Sequence, residues 1–419
     1  MKNLFKAASA VTGLFALIST SALAQTPQFV LLNSFGSSGD GSLHPDERSY
    51  LTATNNLQRG LAYNPKTTHL LIASRSPTTA PTINIVDSIT GADLGSLPFV
   101  QQVVAGNAGF LLNKIAVADD GAIYVCNVTT TSTTDIGFVL YRYASETSEQ
   151  TAVYGNLAFG DPSSGRANSA QSNGRWGDTM VVRGAGLNTE ILIASQGTLA
   201  AILRPTDESM NTFVATTLAT DASSGSMADS VSFGIGDTFW AKANGLGLRH
   251  LSFDLNSGTA TTLQTYGSTA FPTQIGPILA LNASNLLAGI EIAPAFDSVK
   301  LYDITTTNPP IFLDRQDYYT NLNNGLGAGE ICFGNGTLYA LDSDNGLLAL
   351  SLISSNESVA PSFIIQPTGS GSRVIGSNIT FSALADGIPT NLTYQWYFNA
   401  TNLISAATNT SFSISNLQA

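Results

Sequence analysis

The chain has little charge and few of the residue types that metal or nucleophilic chemistry uses. Of its 419 residues 11% are charged, and it has 3 histidines and 2 cysteines. It contains no G-x-S-x-G, H-E-x-x-H or Walker pattern. The histidines, His44, His69 and His250, are far apart in sequence, which argues against a zinc or copper site. We therefore expect no catalytic residue, no metal and no cofactor, and a binding protein is favoured over an enzyme.

Long hydrophobic runs are also missing, and the apolar stretch at the start is too short to span a bilayer. Residues 1–24 have Lys2 and Lys6, a short apolar core and an Ala22-Leu23-Ala24 cleavage site, which together are typical of an export signal. We expect no transmembrane segment. We also expect an extracellular or cell-surface location, most consistent with a bacterial source.

The net charge of −12 argues against nucleic acid as a partner.

What the chain does have is a repeated strand pattern, rich in glycine and Ser/Thr/Asn turns. The copies lie at 59–76, 114–127, 178–197, 229–245, 275–292 and 330–346, and most continue into an outer hairpin. A repeat of about 45–65 residues with several strands per copy is the signature of a β-propeller. The predicted fold class is all-β, with a six-bladed propeller over 25–354. Seven blades is the alternative, because 37–57 and 155–175 could contain further strands.

The last repeat lacks a fourth strand, and the segment at 28–36 is the obvious donor. We expect Phe29–Phe35 to lie beside Leu347–Leu352, which would close the ring and leave no exposed edge. Cys126 and Cys332 fall in repeats two and six, which do not adjoin in a six-bladed ring. No disulfide is therefore expected.

After a polar linker at 355–361 the pattern changes. The segment 362–419 has an IIQP opening at 364–367, a strand at 376–387 and TYQWYFNA at 393–400. It resembles the first part of a bacterial immunoglobulin-like domain, which implies Trp396 as the core tryptophan. Ala383 stands where many such domains have a cysteine, which implies a variant without a disulfide. The resemblance ends before the remaining strands of the sandwich. The propeller part resembles secreted bacterial propellers of uncharacterised function in repeat form alone.

Charged and amide side chains recur at equivalent points of the repeats, where the first strand starts and the second ends. Loops at these points surround one mouth of a propeller channel, and long loops on a rigid scaffold commonly carry binding sites. The candidate ligand-binding residues are Arg59, Lys114, Asp178, Asp229 and Glu330 at the first position, and Arg75, Gln196, Lys242, Glu291 and Asp342 at the second. The competing interpretation is that these side chains solvate the mouth or pair with one another.

Three functions remain open. The first is a secreted, monomeric binding or adhesion protein for a glycan or a protein or peptide ligand, with the C-terminal segment as a spacer. The second is an extracellular polysaccharide hydrolase or lyase that uses carboxylates at the mouth. The third is a structural scaffold for protein interaction.

Overall fold

The computed structural model divides the chain into two compact units, one over Gln28–Leu352 and a smaller one that includes Ile353–Ala419. The structure describes residues 26–76, 81–98, 112–128, 138–155, 175–292, 296–305, 309–353, 359–368, 374–388, 394–398 and 402–416. The secondary structure of these residues is strand apart from two three-residue 3₁₀ turns, Gly186–Asn188 and Asn282–Ser284. Neither described helix is long and apolar enough to cross a membrane.

The larger unit contains strands β1 to β25. They are β1 Gln28–Leu31, β2 Ser42–Leu43, β3 Gln58–Asn64, β4 His69–Ser74, β5 Thr82–Asp87, β6 Asp93–Leu97, β7 Lys114–Val117, β8 Ile123–Cys126, β9 Leu140–Tyr143, β10 Thr151–Tyr154, β11 Val181–Arg183, β12 Glu190–Ala194, β13 Leu199–Pro205, β14 Phe213–Thr220, β15 Ser230–Phe233, β16 Thr238–Lys242, β17 Leu248–Asp254, β18 Thr259–Tyr266, β19 Ile275–Leu281, β20 Leu286–Glu291, β21 Ser298–Asp303, β22 Ile311–Asp317, β23 Gly329–Gly334, β24 Thr337–Asp342 and β25 Gly346–Ile353.

Strands that follow one another in the chain pair antiparallel to form small sheets. Three sheets contain four strands each, β3–β6, β7–β10 and β19–β22, and a fourth contains β23–β25 with β1 and β2. The β11–β14 and β15–β18 groups join into one sheet of eight strands through a short parallel contact between β14 and β18. The predicted repeats therefore correspond to antiparallel groups of strands.

Tight turns with left-handed residues connect the strands within a group. Asn335 and Gly336 have φ angles of 50° and 75° and join β23 to β24, where Gly334 pairs with Thr337. Two consecutive residues with positive φ form the turn whose twist matches that of antiparallel strands, and Asn-Gly is the preferred pair for it. The sequence thus encodes this hairpin locally.

The first strands of the groups contact one another in a closed order: β3, β7, β11, β15, β19, β23 and β3 again. The apolar cores lie between neighbouring groups. One core packs Leu71 of β4 against Ile123 of β8, and another packs Tyr339 of β24 against Leu70 of β4. Sheets stacked face to face around an axis form a propeller-like arrangement, and the protein has a β-propeller fold.

The N-terminal segment pairs with the last strand, as predicted. Strand β1 lies beside β25, the Leu32 amide donates to the Ala349 carbonyl at 2.9 Å, and β2 pairs with Leu347 and Leu348. The outer edge of β25 is therefore covered, which removes an unpaired strand edge.

The smaller unit is antiparallel too. Its strands are β26 Val359–Thr368, β27 Ile379–Ile388, β28 Tyr397–Phe398, β29 Asn402–Leu403 and β30 Ser411–Ile414. Strands β26, β27 and β30 form one sheet, and β28 and β29 form a hairpin. Trp396 is buried between Phe381 and Phe412, and its indole N–H donates to the Asn409 carbonyl at 2.9 Å. The tryptophan implied as a core residue is therefore buried, as is Ala383.

Candidate functional site

The strand register brings the starts of first strands and the ends of second strands to the same end of each group. Lys114 pairs with Cys126, Ser230 with Lys242 and Gly329 with Asp342. We call this end of the first strands the mouth. Beyond it, a cavity of about 270 Å³ is lined by the first strands of every group, including Leu61, Ile115 and Ile331. Its lining is mixed: apolar side chains lie beside Arg183, Asn282 and Glu330, so charge is also present below the mouth.

The structure places all ten candidate residues at the mouth end of their strands. Five candidates lie at the start of first strands: Arg59, Lys114 and Glu330 are within the first two strand residues, and Asp178 and Asp229 come just before the strand. The other five lie at the end of second strands: Lys242, Glu291 and Asp342 are the last strand residues, and Arg75 and Gln196 come just after the strand. Their environments differ, and they form several small groups.

Lys114 and Glu330 form a buried ion pair that connects two non-adjacent sheets. The Lys114 Nζ lies 2.8 Å from Glu330 Oε2 and donates to the Gly329 carbonyl at 2.9 Å. The side chains are 8% and 11% exposed, and β3 lies between their strands in the order of contacts. Both charges are satisfied by each other, so this pair is a link within the fold rather than a free ligand-binding group.

Arg59 and Arg75 share one neutral acceptor. Arg59 Nε and Arg75 Nη2 donate to Oδ1 of Asn113, at 3.1 Å and 2.6 Å. Asn113 is fixed in this orientation because its Nδ2 donates to the Gly177 carbonyl at 2.6 Å. Burial and the Arg59 charge lower the pKa of Arg75 to about 9, and burial lowers the pKa of Arg59. Two cations therefore stand side by side at the mouth.

Asp178 is held by an arginine that the repeat pattern did not single out. Arg175 donates to both carboxylate oxygens of Asp178, at 2.6 Å and 3.0 Å, and the exposed Gln196 donates at 3.3 Å. A bidentate arginine–carboxylate pair is a strong, directional contact. The Asp178 and Asp229 charges also act on the Arg59 guanidinium, which places these groups in one electrostatic cluster.

Asp229 and Lys242 are charged groups in a poorly solvated environment. Burial, with the nearby Asp178 charge, raises the pKa of Asp229, although the Asn244 amide donates to it. Lys242 is 0% exposed, its Nζ donates to the Ala243 and Thr273 carbonyls, and burial lowers its pKa to about 8. Both shifts have the sign that desolvation produces.

Glu291 and Asp342 belong to other local groups. Glu291 pairs at 2.7 Å with Lys300 on the neighbouring strand. Asp342 is 0% exposed and lies in an acid–amide cluster with Asp297, Asp344, Asn324 and Asn345. Asn345 Nδ2 donates to Asp342 at 3.0 Å and to Asp297 at 3.2 Å. The ten candidates are thus neither one ring nor equally accessible.

The acid–amide cluster connects to the mouth through Asn56. The Asn56 amide donates to Asp344 Oδ1 at 2.9 Å, and its side chain donates to Asn324 at 3.2 Å, while its carbonyl accepts from Arg59 at 3.4 Å. Burial raises the pKa of Asp344 to about 6. No group of three or more His, Cys, Asp or Glu side chains in the described ranges has an arrangement that could hold a metal ion.

Sequence reasoning missed Arg175, Asn113, Asn56 and Asp297. Each lies in a connecting segment outside the aligned strand ends, so the repeat alignment had no position for it. For Arg175 a signal was available, since an arginine three residues from Asp178 in a chain of low charge suggests a local pair.

No family model matches the chain, and no curated protein matches it. Among solved structures, the crystal structure of the RRP9 WD40 repeats aligns at 10% identity, with a TM-score of 0.44, over 72% of this chain and 96% of that one. The PQQ-bound aldose sugar dehydrogenase from Streptomyces coelicolor aligns at 16% identity and TM-score 0.39, over 73% and 97%. A structural genomics protein of unknown function from Bacteroides thetaiotaomicron aligns at 13% identity and TM-score 0.46, over 79% and 76%.

These similarities concern the fold alone. Identities of 10–16% and TM-scores below 0.5 do not transfer a ligand, a substrate or a residue.

Proposed function

We propose that the protein is an exported, non-enzymatic binding protein whose mouth holds a polar ligand, a glycan or a peptide segment. One observation carries this proposal: charged side chains of both signs from several sheets meet at the mouth in a poorly solvated environment. Burial lowers the pKa values of Arg59, Arg75 and Lys242 and raises the pKa of Asp229, so in each case it disfavours the charged form. Desolvating charge costs folding free energy, and such groups concentrate at functional sites.

The architecture we propose around this site is a six-bladed propeller followed by an immunoglobulin-like spacer. Six blades are supported by the closed order of first-strand contacts from β3 to β23 and by cores between each neighbouring pair. The immunoglobulin-like spacer is supported by buried Trp396 and by antiparallel strands β26, β27 and β30. Export is supported by the signal-like residues 1–24.

The proposal is tested by measuring binding to a glycan and peptide array. The wild-type protein is compared with the Asp178→Ala/Asp229→Ala double variant. Loss of both carboxylates releases Arg175 and Gln196, which donate to Asp178, from their positions at the mouth, so binding to any wild-type ligand should fall at least about 10-fold. The control is Asp207→Ala/Asp254→Ala. Both carboxylates are exposed where outer hairpins turn, at the end of the strands that lies away from the mouth. Equal binding by the mouth variant and the control would reject the mouth as the site.

The alternative function, a polysaccharide hydrolase or lyase, is favoured by one feature. Asp229 has a raised pKa beside Asp178, which accepts two hydrogen bonds from Arg175. Two carboxyl groups whose environments differ in this way can act as acid and base. A reducing-end and unsaturated-product assay over extracellular polysaccharides tests it. Turnover that Asp229→Asn abolishes would replace the binding proposal, and the absence of turnover on ligands that bind would leave it in place.

A further inference from the structure

Arg59 has unused hydrogen-bonding capacity at the mouth. A guanidinium carries five N–H donors, and the contacts of Arg59 are Nε to Asn113 Oδ1 and Nη1 to the Asn56 carbonyl. Both acceptors are neutral. Arg59 forms no ion pair within the described ranges, and none of its nitrogens is a buried atom that lacks a partner. No hydrogen bond of the described residues uses the Arg59 Nη2, and this nitrogen is not fully buried.

Arg75 places a second guanidinium against the first. The described contacts of Arg75 go to the Leu112 carbonyl at 2.8 Å and to the same Asn113 oxygen that Arg59 uses. Two like charges that share one neutral oxygen repel each other, and the repulsion is stronger because both side chains are largely buried. An anion at this position would relieve that repulsion.

The nearest carboxylates are already engaged. Asp178 accepts both bonds of the Arg175 fork, Glu330 pairs with Lys114, and Asp344 accepts the Asn56 amide. Burial and the Asp178 charge raise the pKa of Asp229, and its carboxyl group accepts the Asn244 amide. The surroundings thus hold the two guanidinium groups in place without giving Arg59 a carboxylate of its own.

We propose, on the basis of the function proposed above, that Arg59 and Arg75 form a carboxylate subsite and that the ligand of the mouth is an acidic glycan. The planar fork of a guanidinium matches the two oxygens of a carboxylate, as in the carboxyl group of a uronic acid. Three exposed side chains lie in loops at the same end of the strands. The amide of Gln196 suits the hydroxyl groups of a sugar, and the rings of Phe296 and Tyr319 suit its apolar face.

The test is isothermal titration of the full mature chain with two matched probes, trigalacturonate and the neutral maltotriose, and with a short acidic peptide as a third. We expect trigalacturonate to bind at least about 10-fold more tightly than maltotriose, and Arg59→Gln to weaken trigalacturonate by about 10- to 100-fold. Arg59→Lys keeps the charge but loses the fork, so it should retain only part of the affinity. The control is Lys66→Gln, which removes an exposed cation in the turn between β3 and β4, at the end of β3 away from the mouth.

Thermal unfolding separates a binding role from a structural one. Removing one of two repelling cations should leave the melting temperature of Arg59→Gln equal to or above that of wild type, whereas a residue needed for the fold would lower it. Arg75→Gln provides a second variant with the same expected loss of affinity.

Three results would overturn the inference. Equal binding of the acidic and neutral trisaccharides, or full affinity of Arg59→Gln for trigalacturonate, would reject the carboxylate subsite while the proposed binding function stood. Arg59-dependent binding of the peptide alone would reject the glycan. Binding of no probe and no array ligand would reject the proposed function as well.

Discussion

At the scale of the residue, the clearest consequence of the structure is a buried carboxyl pair. Asp342 and Asp297 face each other, each is at most 2% exposed, and no hydrogen-bond donor of the described residues reaches Asp342 Oδ2. Burial and the Asp297 charge raise the pKa of Asp342 to about 7. The surrounding polar groups are Asp344, Asn324, Asn345 and the buried Tyr318. Two carboxylates this close favour a shared proton.

This pair predicts that stability falls as pH rises. The folded protein holds the Asp342 proton more tightly than the unfolded chain does, so the stabilisation is fully present below pH about 4 and is lost as pH rises through about 7. Asp342→Asn replaces the protonated acid with a neutral group of the same shape. We expect this variant to lose that part of the pH dependence and to exceed wild type at pH 8 by about 1–3 kcal/mol.

Denaturant unfolding at pH 5, 6, 7 and 8 measures both effects. Asp254→Asn is the control, because Asp254 is exposed in a hairpin turn and its pKa is lowered by hydrogen bonds from Asn256 and Ser257. A wild-type stability that is flat or rises from pH 5 to pH 8 would contradict the shared proton.

At the scale of the element, two links hold the ring of strands together. One is the Lys114–Glu330 pair, which connects β7 with the non-adjacent β23. Lys114→Met should destabilise the protein by about 3–5 kcal/mol, because it leaves the Glu330 charge buried without its partner. Lys114→Met/Glu330→Gln should recover much of that loss. Urea unfolding of the single and double variants measures the difference, and a double variant as unstable as the single one would mean that packing, not charge, sets the cost.

The other link is the pairing of β1 and the following Leu32 with β25. Leu32→Pro removes the amide that donates to Ala349, so we expect it to be less stable than Leu32→Ala by about 1–3 kcal/mol. The alanine variant accounts for the lost side chain. Loss of this pairing also uncovers the edge of β25, which favours self-association visible by size-exclusion chromatography. Equal stability of the two variants would show that the amide bond contributes little to closure.

At the scale of the whole molecule, the larger unit should fold without the smaller one. The six core clusters of the described residues draw their members from within Gln28–Leu352. We expect a fragment of residues 26–352 to unfold cooperatively, with a melting temperature within a few degrees of that of residues 26–419. Circular dichroism melts measure this. A fragment of 37–352, which lacks β1, is the comparison and should melt lower.

A fragment 26–352 that is unfolded or aggregated would contradict the independence of the larger unit. If both fragments melt alike, the larger unit is independent but β1 is not needed to close it.

The repeats, the hairpins and the pairing of 28–36 with the last strand could be predicted from the sequence because each depends on local information. Alternating apolar residues set the strand faces, and pairs such as Asn335-Gly336 set the turns. An unfinished last repeat required a partner strand, and β1 supplied it. The positions of Lys114, Lys242 and Glu291 at the mouth followed from the same alignment, since antiparallel neighbours bring those ends together.

Which charges pair, and which remain open, was decided only by the tertiary structure. Lys114 reaches Glu330 across more than 200 residues of chain, and Asn113 brings Arg59 and Arg75 together from a connecting segment. Such contacts depend on distances and on burial, which residue types and spacing do not specify. The sequence by itself determined the strands and their order around the axis, because backbone pairing follows local pattern. The chemistry of the mouth depends on side chains brought together from distant parts of the chain.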